Sequence, residues 1–389
     1  MIKIGITGQS GFIGTHLYNT LSLFPDKYTL IPFEDNYFNQ SKLLESFVQE
    51  CDIIIHLAAM NRNSDPELIY KTNIELVKKL ILALEKTSSK PYIIMSSSLQ
   101  EFLDNPYGKS KREGRELFNQ WADKNNTMFT GLIIPNVFGP FGVPFYNSVI
   151  STFSYQLVNN LEPKIEIDNK LNLIYVGDLI NFIIGLIDKY GHIIQRINIH
   201  KSLGTNNEYP PRKLQVESQT SYKVSEILEK LQYFKEIYYR KNIFPDLSDY
   251  FDLCLFNTFR SYIYLDYFPH LYKLNPDDRG VYVEWAKSLS RGQSSYSTTK
   301  PQITRGNHFH LRKVERFAVI EGNASIKLRK YGTNEIKEFV LDGNNPSFVD
   351  IPIWFVHNIT NIGNSNLITL FWTNEFYDPS DADTYFDKV

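Results

Sequence analysis

Histidines gather near the end of this 389-residue chain, at a spacing that could assemble a metal site. His308 and His310 are separated by one residue, and side chains two positions apart on a β-strand share a face. Glu315 follows on the same or the next predicted strand, and His357 lies in a second apolar run. Imidazoles and a carboxylate that converge on a barrel interior are ligands for a borderline divalent metal such as zinc. The alternative is that these residues are interior polar groups that bind no metal.

A second group of residues near position 100 could transfer a proton. Pro106 suits the first turn of a helix, which places Tyr107 and Lys111 four residues apart on one face. Because an ammonium favours phenolate, we expect Lys111 to lower the pKa of Tyr107, so that the pair can protonate a developing alkoxide. Ser98, at the end of a predicted strand, would hydrogen-bond the same oxygen, with Ser97 as the second candidate. The alternative is a solvated lysine beside one of 25 tyrosines.

A glycine-rich turn separates the first predicted strand, Ile2 to Thr7, from the first predicted helix, His16 to Phe24. Glycines in such a turn let backbone N–H groups approach a pyrophosphate at the start of the helix. The alternative is a purely structural tight turn. The turn residues predicted to bind a cofactor are Gly8, Gln9, Ser10, Gly11, Phe12, Ile13 and Gly14.

Strands alternate with helices through the first half of the chain, which predicts an α/β fold with a doubly wound parallel sheet. Ligands bind such sheets outside the carboxyl ends of the strands. One strand ends in Leu57, Ala58 and Ala59, whose limited bulk lets a ring or diphosphate lie against the backbone.

The type of nicotinamide cofactor is left open by the residues that follow the second predicted strand. Glu34 or Asp35 would accept hydrogen bonds from the ribose hydroxyls of NAD, whereas Arg62 could pair with the phosphate of NADP. We therefore expect either NADPH or NADH.

These motifs, in this order, resemble the extended short-chain dehydrogenase/reductase family over roughly residues 1 to 240. The resemblance implies that Ser98, Tyr107 and Lys111 form the catalytic trio. It also implies that Asn73, on a helix, belongs to the cofactor-binding half, as do Tyr107 and Lys111. The stretch from Ile134 to Pro140 corresponds to the loop that covers the nicotinamide, which makes Asn136 a candidate substrate contact.

Beyond residue 277, short runs separated by turn residues predict an all-β sandwich or barrel. Two motifs resemble the metal motifs of the cupin family: His308-x-His310-x4-Glu315-x6-Gly322 and Pro352-x4-His357-x3-Asn361. The resemblance implies a cupin (jelly-roll) barrel whose divalent metal, zinc by preference, is bound by His308, His310, Glu315 and His357. Trp354 stands where a glycine is usual, so we expect a differently shaped entry to the strand of His357.

The same region is similar to barrel-fold epimerases that act on nucleotide-linked 4-keto sugars. Asp278-Arg279-Gly280-x3-Glu284 and Arg305-Gly306-x-His308 carry this likeness. It implies that His308 is catalytic and that Arg279 and Arg305 bind the substrate diphosphate as bidentate forks. Each arginine could instead be a surface charge.

The chain as a whole resembles the CapF/WbjC group of bifunctional capsule and O-antigen enzymes, in which Asn147 lies within a shared stretch. This implies a UDP-linked 2-acetamido-2,6-dideoxy-4-hexulose as substrate, epimerised at C3 and then reduced at C4, with NADPH as the usual reductant. The product would be the UDP-linked N-acetyl-6-deoxy-L-talosamine precursor of N-acetylfucosamine. Two alternatives remain: a monofunctional reductase whose barrel serves dimerisation or sugar binding, and a reductase fold that is only a scaffold.

Length and composition set the wider expectations. A chain this long predicts more than one core, and we expect a reductase domain over residues 1–245, a helical, aromatic-rich connector over 246–276 and the barrel over 277–389. A net charge of −2 predicts neither a nucleic-acid partner nor a membrane surface. Two cysteines and an N-terminus that enters a strand directly favour a cytoplasmic protein without a signal peptide. A homodimer is the expected assembly.

Overall fold

The structure, a computed structural model, describes residues 1–200, 209–272, 274–277, 280–282, 286–289, 292–375 and 378–389. These residues pack into two compact units. The first unit contains Met1–Phe138, Phe145–Ser148 and Lys170–Tyr222, and the second contains Gly139–Pro144, Val149–Asn169 and Lys223–Val389. The domain boundary near residue 245 stays a prediction.

The helices start where capping residues satisfy their first N–H groups. Asn105 caps the helix that follows it by accepting a hydrogen bond from Gly108 N at 2.7 Å, and Pro106 occupies the first turn, as predicted. Among the described residues, no helix has the length and apolar character needed to cross a membrane. The helices are α1 (Phe12–Ser22), α2 (Ser41–Glu50), α3 (Pro66–Thr87), α4 (Pro106–Asn125), α5 (Val149–Val158), α6 (Val176–His200), α7 (Val224–Phe234) and α8 (Tyr250–Arg260).

The first unit is built on a parallel sheet with the strand order β2-β1-β3-β4-β5-β8. Its strands are β1 (Ile2–Thr7), β2 (Tyr28–Ile31), β3 (Ile53–His56), β4 (Tyr92–Ser98), β5 (Phe129–Ile134), β6 (Asn136–Phe138), β7 (Lys170–Tyr175), β8 (Lys213–Gln215) and β9 (Thr220–Lys223). All of β3 is buried, as expected for a parallel strand covered on both faces. Strands β6, β7 and β9 form a smaller sheet. The predicted Rossmann-like parallel sheet is confirmed.

The second unit contains two antiparallel sheets, ordered β11-β20-β17-β22-β15 and β19-β18-β21-β16-β23. Apolar side chains from both sheets form one core, including Ala318, Ile326 and Val349. The expected all-β C-terminal region is therefore confirmed. Its strands are β10 (Ile243–Phe244), β11 (His270–Leu271), β12 (Asn275–Asp277), β13 (Gly280–Tyr282), β14 (Lys287–Ser288), β15 (Gln293–Thr299), β16 (Thr304–Phe309), β17 (Glu315–Glu321), β18 (Asn323–Lys330), β19 (Ile336–Asp342), β20 (Ser347–Ile351), β21 (Phe355–Asn361), β22 (Leu367–Thr373) and β23 (Tyr385–Phe386).

Trp354, which follows β20 and precedes β21, adopts a left-handed backbone with φ +62°. Glycine is favoured in that region because it lacks a Cβ atom. A tryptophan therefore occupies a backbone conformation that glycine adopts more readily. Its indole stacks on Phe309 at 5.5 Å between ring centroids and contacts Tyr331 at 5.7 Å. The expected difference in the entry to the strand of His357 stays a prediction.

Replacing Trp354 separates backbone strain from ring packing. Both W354A and W354G lose the indole contacts, but only alanine must keep a Cβ atom at φ +62°. We expect W354G to be more stable than W354A by about 1 kcal/mol. Urea unfolding followed by circular dichroism measures the difference, and an alanine variant as stable as the glycine variant would contradict it.

Candidate functional sites

The predicted cofactor turn lies between β1 and α1 and needs its glycines for steric reasons. Gly8 has φ +71°, and a Cβ atom there would approach Ala58 N to 2.7 Å. A Cβ atom on Gly14 would lie 2.1 Å from the Gly8 carbonyl oxygen. The turn therefore packs against the loop that follows β3, and α1 begins directly behind it. The first N–H groups of a helix lack intrahelical partners, so this point can bind an anion.

An acid, rather than an arginine, lies beside this turn. Ser10 Oγ donates to Asp35 Oδ2 at 3.4 Å, and Gln9 Nε2 donates to the Phe33 carbonyl at 2.7 Å. Arg62 instead donates through Nη1 to the carbonyl oxygens of Phe145 and Tyr146, at 2.9 and 3.0 Å. The predicted pairing of Arg62 with a phosphate thus competes with contacts that the guanidinium already makes.

Asn73 is buried on α3 and holds the loop that follows β3. Its Oδ1 accepts from Met60 N at 2.7 Å, while Nδ2 donates to the Met60 carbonyl and to Ser110 Oγ, both at 3.0 Å. This side chain therefore ties the loop of Leu57 and Ala58 to α4. Direct contact of Asn73 with a cofactor stays a prediction.

The two serine candidates at the end of β4 have different partners. Ser97 is buried and donates to Glu101 Oε2 at 2.7 Å. Ser98 is partly exposed at the strand end, where its Oγ accepts from Gln100 N at 3.2 Å and caps a 3₁₀ turn. The hydroxyl of Ser98 keeps its proton available for donation, which favours Ser98 over Ser97 as a substrate contact.

Tyr107 and Lys111 occupy the first turns of α4, next to the carboxyl end of β4. Lys111 is buried, and its Nζ donates to the Ser96 carbonyl at 3.0 Å and lies 5.7 Å from the Tyr107 ring centroid. Burial lowers the pKa of Lys111 to about 8. Burial, followed by the neighbouring Tyr146, raises the pKa of Tyr107 above its usual value. The prediction that Lys111 lowers the pKa of Tyr107 is therefore wrong, because desolvation of the phenol outweighs the distant ammonium.

The predicted substrate contacts of the first unit are exposed. Asn136 lies on β6 and donates through Nδ2 to the Asn172 carbonyl at 3.2 Å. Asn147 lies on the exposed stretch after Tyr146. Both side chains are accessible, and their roles stay predictions.

The predicted metal ligands come together between the two sheets of the second unit. His308 on β16 pairs with His357 on β21, His310 directly follows β16, and Glu315 begins β17. One potential ligand atom from each of these residues lies within 4.8 Å of the others. Glu315 Oε2 is 2.8 Å from His310 Nε2 and 3.3 Å from His357 Nε2. Strand pairing thus assembles the four residues that the spacing suggested.

Hydrogen bonds set the tautomers of two of these histidines. His310 Nδ1 lies 2.6 Å from the Asp383 carbonyl oxygen, and His357 Nδ1 lies 3.1 Å from that of Phe355. A carbonyl oxygen only accepts, so both Nδ1 atoms carry protons and both Nε2 atoms face Glu315. His357 Nε2 is fully buried and has no well-aligned hydrogen-bond partner in the described part of the chain. An orphaned imidazole nitrogen beside a carboxylate fits a bound divalent cation.

The charges of the cluster are coupled. Burial alone would raise the pKa of Glu315, but His310, 2.8 Å away, holds it well below its usual value. Burial opposes protonation of His310, whereas the carboxylate of Glu315 raises its pKa above the ordinary value. Burial, with His357 and His310, lowers the pKa of His308 to about 3. His308 is therefore a neutral imidazole with a lone pair available at neutral pH.

Of the two arginines predicted to bind a diphosphate, the structure describes only Arg305. Arg305 lies on β16, where Nε donates to Thr299 Oγ1 and Nη2 to the Thr298 carbonyl, both at 3.1 Å. These are neutral acceptors, so its charge stays available to an anion. Arg279 lies outside the described residues.

Two residues that the sequence analysis did not single out hold the backbone next to the sites. Glu101 is buried and receives Arg115 Nε at 3.1 Å and Lys213 Nζ at 3.0 Å, which anchors the turn after Ser98. Asp383 contacts the loop between His310 and Glu315. Asp383 acts on residues about 70 positions earlier, so spacing provides no signal for it, and the distant Lys213 gives none for Glu101.

Comparison with known proteins shows similarity along the whole chain. Residues 4–199 match the NAD dependent epimerase/dehydratase family, and residues 275–385 match the Polysaccharide biosynthesis C-terminal domain. The chain is 30% identical over 391 residues to a UDP-2-acetamido-2,6-beta-L-arabino-hexul-4-ose reductase of Pseudomonas aeruginosa. That alignment covers 99% of this chain and 98% of the relative.

Solved structures give the same picture. The capsular polysaccharide assembling protein CapF from Staphylococcus aureus is similar with a TM-score of 0.59 and 32% identity, over 100% of both chains. A structure of CapF with the inhibitor 3-isopropenyl-tropolone is similar with a TM-score of 0.54 and 30% identity, again over 100% of both chains. The similarity therefore spans both units.

Proposed function

Because the chain belongs to the NAD dependent epimerase/dehydratase family, we propose that its first unit reduces the C4 keto group of a UDP-linked 2-acetamido-2,6-dideoxy-4-hexulose. The observation that carries this proposal is that Ser98, Tyr107 and Lys111 lie at the carboxyl end of the parallel sheet, the same end at which the glycine turn follows β1. The full-length relative, named as a reductase of a UDP-linked hexul-4-ose, supports the substrate class.

The residues of the first unit supply the proton and hold the carbonyl. The turn that contains Gly8 and Gly14 would hold a nicotinamide cofactor, NADPH or NADH, which would supply the hydride for C4. Tyr107 donates its phenolic proton to the C4 oxygen as negative charge develops there, and Ser98 hydrogen-bonds the same oxygen. Lys111 fixes the start of α4 against Ser96 and provides the positive charge of the site.

We propose that the second unit is a cupin barrel that epimerises C3 before the reduction. The C3 proton is acidic because it lies next to the C4 carbonyl. His308, held neutral by its surroundings, accepts this proton, and reprotonation from the opposite face inverts C3. A divalent ion such as zinc, bound by His310, Glu315 and His357 while the lone pair of His308 accepts the proton, would polarise a keto oxygen. Arg305 and Arg279 would bind the diphosphate.

The product of both steps is UDP-N-acetyl-6-deoxy-L-talosamine, a precursor of N-acetylfucosamine in capsule or O-antigen synthesis. The similarity to a polysaccharide biosynthesis domain and to CapF supports this setting. We place the protein in the cytoplasm as a homodimer. A second candidate function is a monofunctional 4-keto-sugar reductase whose barrel serves dimerisation or sugar binding, which the reductase name of the relative favours.

The reductase proposal is tested by mixing the full chain with the 4-keto UDP-sugar and following the loss of NADPH or NADH absorbance. We expect stoichiometric oxidation and a C4 hydroxyl in the product NMR spectrum. Separate kcat/KM values for the two reductants measure the preference that Asp35 and Arg62 leave open. No oxidation with either reductant would contradict the proposal.

The reduction should depend on pH through Lys111. With a pKa lowered to about 8, Lys111 is charged below that pH and neutral above it. If the ammonium is the active form, kcat/KM should be level below pH 8 and fall about tenfold per pH unit above it. A pH profile of kcat/KM, with circular dichroism at each pH as the folding control, measures this. A profile that stays level for two further pH units would contradict it.

A further inference from the structure

We propose that Asp383 is a positioning residue that sets the orientation of His310 and the loop leading to Glu315. This inference rests on the proposed metal site. Asp383 is buried, with 6% of its surface exposed, and it lies just before β23, the edge strand beside β16.

The carboxylate of Asp383 caps the loop that joins the two ligand-bearing strands. Its Oδ1 accepts from Leu311 N at 3.1 Å, and its Oδ2 accepts from Arg312 N and Lys313 N, both at 3.0 Å. Three successive backbone N–H groups converge on one carboxylate, which is a strong, charge-assisted arrangement. The loop conformation between His310 and Glu315 therefore depends on this side chain.

The backbone carbonyl of the same residue orients the imidazole. It accepts the proton of His310 Nδ1 at 2.6 Å, so His310 presents Nε2 to the cluster. Partners of this kind fix the tautomer and ring plane of histidine ligands. Asp383 thus holds His310 through its carbonyl and the following loop through its carboxylate.

The rest of the segment ties Asp383 to the strand of the other ligands. β23 pairs with β16, with Phe386 opposite His308 and Tyr385 opposite Phe309. Asp387 Oδ2 receives Arg329 Nη2 at 2.8 Å. The segment from Asp383 to Asp387 is therefore fixed against the edge of the sheet that carries His308. Within this segment, Asp383 is the residue that contacts the ligand His310.

The backbone of Asp383 allows the carboxylate to be removed without new strain. Its φ is +41°, in the left-handed region that glycine enters freely. Asp383→Gly therefore removes the three hydrogen bonds and keeps the turn. Asp383→Asn keeps one acceptor oxygen and places an NH₂ group against a backbone N–H. Asp378→Gly is the matched control, because Asp378 is exposed and its carboxylate accepts from Ser380 in the same segment.

The test measures zinc affinity of the full-length protein by competition with a chromophoric chelator. We expect D383G to bind zinc about 10- to 100-fold more weakly than wild type, D383N to fall between them, and D378G to match wild type. Cobalt(II) bound in place of zinc should show a shifted visible spectrum in D383G, a change that a purely structural role would not cause. Circular dichroism checks that each variant is folded. If D383G does not fold, the zinc affinity of D383N relative to wild type tests the role of Asp383 instead.

The outcomes separate this inference from the function beneath it. Zinc affinity and a cobalt spectrum unchanged in folded D383G would overturn the role of Asp383 and leave the metal site intact. Wild-type protein that takes up neither ion would overturn the metal site, and the inference with it.

Discussion

Tyr107→Phe is expected to lower kcat for NAD(P)H-dependent reduction by about 10²- to 10⁴-fold, the usual contribution of a positioned general acid. The phenolic oxygen is the only atom lost, so the fold and the ring contact with Lys111 remain. Because burial raises the pKa of Tyr107, the phenol is protonated across the physiological range and can donate. KM should change little, since the proton is transferred mainly in the transition state.

The matched control is Tyr70→Phe on α3, whose hydroxyl donates to Glu113 outside the trio. Its steady-state constants should equal those of wild type. Cofactor binding by Y107F, measured by fluorescence titration, should stay within a few-fold of wild type. A Y107F protein that reduces the sugar at the wild-type rate would remove Tyr107 from the reaction.

Asp350→Ala is expected to destabilise the second unit by about 3–5 kcal/mol, the cost of leaving a buried charge without its partner. Asp350 and Arg316 are each 1% exposed, and their bidentate contacts measure 2.7 and 3.0 Å. Tyr238 also donates to Asp350, and the Arg316 guanidinium lies 3.7 Å from the Phe348 ring centroid. Alanine leaves Arg316 charged among aromatic rings, where water cannot replace the carboxylate.

Urea unfolding followed by tryptophan fluorescence reports mainly on the second unit. Three of the four tryptophans of the sequence belong to that unit, namely Trp285, Trp354 and Trp372, and the fourth, Trp121, belongs to the first. Asp266→Ala, which removes an exposed ion pair with Lys337, is the control and should leave the midpoint almost unchanged. Adding Arg316→Leu to Asp350→Ala should restore part of the loss, since no unpaired charge remains. A D350A midpoint equal to that of the control would contradict the account.

Local spacing predicted the features that depend on local geometry. The glycine turn, the start of α4 at Pro106 and the parallel sheet follow from backbone sterics and from strand–helix alternation. The convergence of His308 with His357 was expected from the resemblance to the cupin motifs, and it depends on the direct pairing of β16 with β21, which local spacing does not determine.

Properties that arise from burial and from distant contacts could not be predicted in the same way. The pKa of Tyr107 depends on desolvation, which the four-residue spacing to Lys111 does not determine. Arg62 is bound by carbonyls more than 80 residues further along the chain. Asp383 acts on residues about 70 positions earlier through backbone groups, which leave no trace in residue types.

The central claim is that one chain carries two separable activities on one keto sugar. Deuterium incorporation tests it most directly: the full chain is incubated with the 4-keto UDP-sugar in deuterated water, with and without NAD(P)H. We expect deuterium at C3 without any reductant, lost in His308→Ala and retained in Tyr107→Phe, while reduction shows the opposite dependence. Consumption of NAD(P)H with no exchange at C3 would contradict the claim and leave a monofunctional reductase.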